Sequence, residues 1–161
     1  MLKAELINPF VEGAIVFFKH ELGIDIVRGE PRIESCHSTP EQINVLIGVT
    51  GEAEGMVLYS MTQRSAKSIA SAMVKSPVPL YDQLAESALG EMGNIITGQA
   101  ASRLEELGYI CKLSPPVLIS GEGTIISAID IDMLVIPLDL HELGKLDIYV
   151  ALRENASRAR N

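Results

Sequence analysis

Tryptophan is absent, and the aromatic share is only 4%. The interior must therefore be filled by Ile, Leu, Val, Ala and Met. Cysteine is scarce as well. Cys36 and Cys111 lie far apart and give no disulfide framework, so reduced thiols are expected, although a single bridge stays open. Positive charge is short, with 13 Lys and Arg against 21 Asp and Glu and a net charge of −8. Such a surface repels phosphate backbones and anionic lipid, which argues against nucleic-acid and membrane-surface roles. No apolar run approaches the roughly 20 residues of a membrane-spanning helix. The first residues, with an acidic Glu5, lack the pattern of a signal peptide, so a cytoplasmic chain is expected. His20, His37 and His141 fall at no ligand spacing beyond adjacent Cys36 and His37, and strand neighbours point to opposite faces. Neither a metal site nor a cofactor of its own is expected. Gly48 to Gly51 and Gly121 to Gly123 lead into no helix bearing a lysine, so they read as turns and not as phosphate-binding loops.

What the chain has is an apolar share of 47% over 161 residues, enough for a full core in one domain. Residues 1–154 are expected to form that domain, with a polar tail over 155–161. The chain also repeats itself. Glu21-Leu22-Gly23 recurs as Glu106-Leu107-Gly108, and the same offset pairs Gly13 with Gly98 and Pro31 to Ser35 with Pro116 to Ser120. Val45-Leu46-Ile47 matches Leu134-Val135-Ile136 after a small insertion.

Each unit reads as a helix followed by three strands. Leu6, Phe10, Ile15, Phe18 and Leu22 have helical spacing up to Gly23, with Asn8-Pro9 a candidate start. Strands are expected over 32–37, 43–49 and 55–61, the last two joined as a hairpin and the last covered on both faces. A connecting helix over 62–74 leads to a break at Pro77-Val78-Pro79. Asp82 can cap a long helix that ends before Gly108. Strands over 116–120, 125–137 and 145–152 complete an α+β domain: long helices packed on an antiparallel or mixed sheet, with pseudo-two-fold symmetry between the duplicated units.

The long helix carries the candidate chemistry. Leu84, Ala88, Met92, Ile95, Ile96 and the stem of Arg103 gather on a side expected to bury. Ser87, Glu91, Asn94 and Gly98 share another stripe, so a carboxylate and a carboxamide stand one turn apart, facing out. Gly90, Gly93 and Gly98 each cost about 1 kcal/mol relative to Ala in mid-helix. Gly90, Gly98 and Ala101 flank the polar stripe and leave it open to close approach, while Gly93 points elsewhere. A Glu and an Asn on a helix face are also ordinary solvated surface, and mid-helix glycines also serve tight packing. Spacing alone does not separate these readings.

Ser87-x3-Glu91-x2-Asn94, followed by Pro115-Pro116, resembles the signature of the CheC/CheX/FliY chemotaxis phosphatases. The resemblance extends to the Asn8 helix, the turn Ile47 to Gly51, Glu54-Gly55 with Tyr59-Ser60, and Ser120-Gly121. A single motif and this length are more similar to CheX-type members than to CheC-type ones. The resemblance implies a CheC-like fold and a phosphatase acting on the aspartyl phosphate of a CheY-like receiver domain. Asn94 would orient the attacking water, Glu91 would pair with the partner's active-site lysine, and Ser87, Gly90, Gly98 and Ala101 would contact the partner. The Mg2+ would sit in the partner, and the protein would form a homodimer through its sheets. The competing class is a non-catalytic dimeric module that binds a response regulator without hydrolysis. Shifted back by the repeat offset, the motif falls on Leu2, Leu6 and Pro9, none of which can do polar work, so one site per chain is expected.

Overall fold

The computed structural model describes residues 3–34, 37–38, 40–128 and 130–156. Leu2, Cys36 and most of the expected tail lie outside them. In chain order the elements are α1 (Ala4–Leu22), β1 (Val27–Arg28), β2 (Arg32–Glu34), β3 (His37–Ser38), β4 (Ile43–Gly51), β5 (Ala53–Met61), α2 (Gln63–Val74) and α3 (Gln83–Glu106). There follow β6 (Cys111–Leu113), β7 (Val117–Ser120), β8 (Ile126–Ser127), β9 (Met133–Asp139), a 3-10 turn (His141–Leu143) and β10 (Lys145–Glu154).

The main sheet is antiparallel, in the order β1-β9-β10-β5-β4-β6, with β2 also on β9 and β7 also on β4. Its long strands carry side chains for two faces. Val57, Tyr59 and Met61 of β5 point into the main core beneath the three helices, and Leu58 into a smaller core on the other face. That second core is closed by Ile126 and Ile131 near the small β3–β8 ladder.

The strand register bears out the duplication. Arg32 pairs with Val135 as Val117 pairs with Leu46, and Arg28 with Leu138 as Leu113 with Val49. The antiparallel β5–β10 pair lies at the centre, with Val57 opposite Val150. The helices, however, correspond one residue further along. Leu6, Ile7, Phe10, Val11, Ala14 and Phe18 bury on α1 as Met92, Gly93, Ile96, Thr97, Ala100 and Leu104 do on α3. Leu6 is buried and Glu91 exposed, so these two are not equivalents.

Several expectations need correction. Pro9 lies inside α1 and is not its start; the helix begins at Ala4, and the apolar Pro9 is buried with Phe10. Ile15 is 44% exposed, off the buried stripe. The expected strand over 125–137 is two strands in different sheets, because Asp130 turns with φ 57 between them. Likewise 32–37 divides into β2 and β3. At the start of the expected tail, which is otherwise mostly outside the described residues, Asn155 Nδ2 donates to Gly51 O and its backbone N–H to Glu52 O, each at 2.9 Å.

Three features hold α3 on the sheet. Asp82 Oδ1 accepts from the Ala85 N–H at 3.1 Å, capping the first turn. Gly93 lies flat against β4 and β5, where a Cβ would come 2.9 Å from Val45 Cγ1 and 3.3 Å from Ile47 Cδ1. The hydroxyls of Tyr59 and Thr97 share a 2.7 Å hydrogen bond in the core. Burial pushes the Tyr59 phenol well above its ordinary range. An acid whose pKa rises on folding contributes stability below its unfolded value and loses it above. Stability should thus fall as pH climbs past about 10, approaching 1.4 kcal/mol per pH unit for this one group. Chemical denaturation between neutral pH and that range would show the fall, and Tyr59→Phe should make it shallower.

Candidate functional site

The period of α3, fixed by Gly93 and Thr97 against the sheet, decides which residues face out. Ser87, Glu91 and Asn94 are all exposed, as the spacing predicts, while Gly98 and Ala101 are half-buried further along. Among the described residues neither Glu91 nor Asn94 has a hydrogen-bond or ion-pair partner. Their polar atoms are free for another molecule.

Beside them runs an open cleft between α3 and β7, lined by Glu86, Ser87, Gly90, Glu91, Asn94 and the side chains of Pro116 and Leu118. Gly90 is buried at its floor, because Pro116 and Leu118 approach it: a Cβ there would meet them at 3.6 and 3.7 Å. Gly90 thus differs from Gly98, where a Cβ would meet nothing within 4 Å. The three helix glycines therefore do different things. Gly93 permits packing on the sheet, Gly90 lets β7 approach, and Gly98 leaves space open to solvent.

One expectation about this helix fails. Leu84 does not bury; it is 54% exposed. Leu84 lies seven residues before Glu91, almost two full turns, so it continues the stripe of Ser87, Glu91 and Asn94. The buried face runs instead through Ala85, Leu89, Met92 and Ile96. Arg103 is also half out of the protein and pairs with Glu12 at 2.7 Å. The exposed stripe therefore begins with an apolar side chain and continues with polar ones. The seven-residue spacing was the signal that could have placed Leu84 there.

His141 and Cys111 lie away from this cleft. His141 Nε2 meets Asp25 O at 2.7 Å, and Cys111 is half-buried with its Sγ near Ala53 O. The side chains of Cys36 and His37 lie outside the described ones. Among the described residues no three His, Cys, Asp or Glu side chains converge to hold a metal ion, and no helix is long and apolar enough to cross a membrane.

An acid and an amide on a surface helix, beside an open cleft, are placed to meet a group presented by another molecule. Comparisons with known proteins place the chain in a family. Residues 43–139 match the family model described as chemotaxis phosphatase CheX. The chain is 29% identical over 153 residues to the CheY-P phosphatase CheX of Thermotoga maritima, covering 94% of this chain and 98% of that protein. Among solved structures it is similar to a chain of the CheX–CheY–BeF3–Mg2+ complex of Borrelia burgdorferi: 26% identity, TM-score 0.82, covering 94% of this chain and 100% of that one. The CheC-like protein of Shewanella sp. PV-4 shares the fold at TM-score 0.85 and 21% identity, covering 94% of this chain and 99% of that one. The match spans β4 to β9 and with them the whole of α3, and the chain belongs to the chemotaxis phosphatase CheX family.

Proposed function

We propose that this protein hydrolyses the aspartyl phosphate of a CheY-type receiver domain, using the exposed face of α3. The observation that carries the reading is the pair Glu91 and Asn94, adjacent, solvent-facing and without hydrogen-bond or ion-pair partners among the described residues, on a helix pinned to the sheet. Its relatives support it: one is a CheY-P phosphatase, and another was solved in a complex with CheY, BeF3 and Mg2+.

An acyl phosphate is already activated, so little is needed beyond a water held in line with phosphorus. The water oxygen bonds to phosphorus as the bond to the aspartate oxygen breaks. The electron pair of that bond returns to the carboxylate, and the protons of the water leave with the phosphate as H2PO4−. Asn94 suits the positioning role because its C=O accepts from the water and its NH2 donates nearby without changing protonation state. Glu91 offers a charge for the partner's lysine, and Leu84 an apolar contact two turns away. Ser87, Gly90, Gly98 and Ala101 complete the contact surface. Mg2+ belongs to the receiver, where it neutralises phosphoryl charge.

The same reading makes the protein a cytoplasmic single domain that pairs with a second copy through the free edges of its sheet. Among the described residues the outermost strands β2 and β7 pair on one side only, β2 with β9 and β7 with β4, and so leave an edge for such pairing.

The direct test mixes the protein with a phosphorylated, Mg2+-loaded receiver and follows phosphate decay. Acceleration is expected. Binding with no acceleration would instead leave a non-catalytic receiver-binding module. Glu91→Ala and Leu84→Ala should each raise the receiver concentration giving half-maximal rate about tenfold, equivalent to 1.4 kcal/mol. For Leu84→Ala the maximal rate should be retained. An unchanged half-saturation in either variant would remove that residue from the interface.

A further inference from the structure

The longest stretch of the chain without an acidic residue runs from Gly55 to Tyr81, and it carries Arg64, Lys67 and Lys75. In a protein of net charge −8 this is a local reversal of sign. At about 100° per residue, Arg64, Lys67, Ser71 and Lys75 fall on one stripe of α2 and its C-cap. The opposite face carries Ser65, Ala66, Ile69 and Ala70, all buried. Arg64 and Lys75 are exposed and Lys67 is half-buried. Among the described residues none of the three cations has an ion-pair partner. Elsewhere Lys3, Lys19, Arg32, Arg103 and Arg153 each meet a carboxylate at 2.7 to 3.1 Å.

This stripe borders the exposed face of α3. Ala70 of α2 clusters with Ala85 and Ala88 of α3, and Ala88 lies one turn beyond Leu84, so α2 flanks the exposed stripe on the side of Leu84. The connection between the helices tightens the arrangement. Ser71 Oγ accepts from the Val78 N–H at 2.9 Å, and Lys67 Nζ donates to Pro79 O at 3.5 Å. The exposed Leu80 is thereby held beside Lys67, four residues before Leu84. The first acids after the stretch, Asp82 and Glu86, belong to the α3 cap and to the cleft.

We propose that Arg64, Lys67 and Lys75 form an electrostatic docking surface for the acidic rim of the receiver's phosphorylation site, speeding its encounter with α3. The proposal rests on the function assigned above to α3. Charge names the occupant: that site presents a phosphoryl group and the carboxylate oxygens that hold Mg2+, which a chain of net charge −8 otherwise repels. Unpaired cations beside the reacting face raise the rate of encounter and leave the bound chemistry unchanged.

The test follows phosphate decay at low and high ionic strength, with the receiver well below half-saturation and again at saturation. At low salt the variant Arg64→Gln/Lys67→Gln/Lys75→Gln should lower kcat/KM about tenfold, keep the maximal rate and show a flatter dependence on salt. Arg64→Lys/Lys67→Arg/Lys75→Arg keeps the charges and should match the parent. Lys19→Gln/Arg28→Gln/Arg153→Gln removes the same charge from α1, β1 and β10 and should lose less than about twofold. Four outcomes would each overturn the docking surface and leave the α3 function standing: a stripe variant as fast as the parent, a loss undiminished at high salt, a control slowed equally, or a charge-keeping variant slowed equally. If the parent itself does not accelerate decay, the α3 function fails and this inference with it.

Discussion

Asn94→Ala is expected to lower the accelerated dephosphorylation rate roughly 10- to 100-fold, the loss that follows when a reacting group is no longer held in place. The substitution removes an exposed side chain with no hydrogen-bond partner among the described residues, and Ala favours helix more than Asn. The melting temperature should therefore stay the same or rise slightly. The half-saturating receiver concentration should move little, because Glu91, Leu84 and the cleft wall at Pro116 and Leu118 remain. The signature is a fall in maximal rate at nearly constant affinity, the mark of an interaction made chiefly in the transition state. Asn94→Asp adds a control. It keeps shape and one acceptor but introduces a negative charge beside the phosphoryl group, so it should be at least as impaired as Ala. An Asn94→Ala variant with the parent's maximal rate would leave the helix a mere docking surface.

Much of this site could be read from residues alone, and the reasons are physical. The Asp82 cap, the 3.6-residue period and the stop near Gly108 define α3, and an isolated Glu91 and Asn94 on the period's polar phase had to face water. Other features were hidden by their size. Strands β1 and β6 hold only two and three residues, too few for alternation to register, and they exist because the edges of β9 and β4 offer them partners. The register of the two helices was hidden for a different reason. Four residues separate Phe18 from Gly23, but only three separate Leu104 from Gly108. A match anchored on the shared Glu-Leu-Gly is therefore one residue out over the rest of the helix, a rotation of about 100°. Only burial, which reports the face each residue presents, reveals the shift from Leu6 onward.

The same helix supplies the second large effect, through glycines that look alike in sequence. Gly93→Val should destabilise the fold by about 3 kcal/mol, at the upper end of what overpacking a core costs. Even a lone Cβ at Gly93 would press on Val45 Cγ1 at 2.9 Å, and Val45 is a β-branched side chain on a central strand with little freedom to move. Two further methyl groups must push the turn bearing Glu91 and Asn94 away from the sheet and strain the Tyr59–Thr97 hydrogen bond. The expected fall in melting temperature is roughly 6–12 °C for a chain of this size. Gly98→Ala should act in the opposite sense on stability. Its Cβ would enter open space, and the helix would gain up to about 1 kcal/mol. If Gly98 is kept small so that a receiver can approach the helix backbone, the same variant should bind the receiver less tightly while melting at a higher temperature. A more stable protein that binds as well as the parent would show that the space beside Gly98 serves no partner.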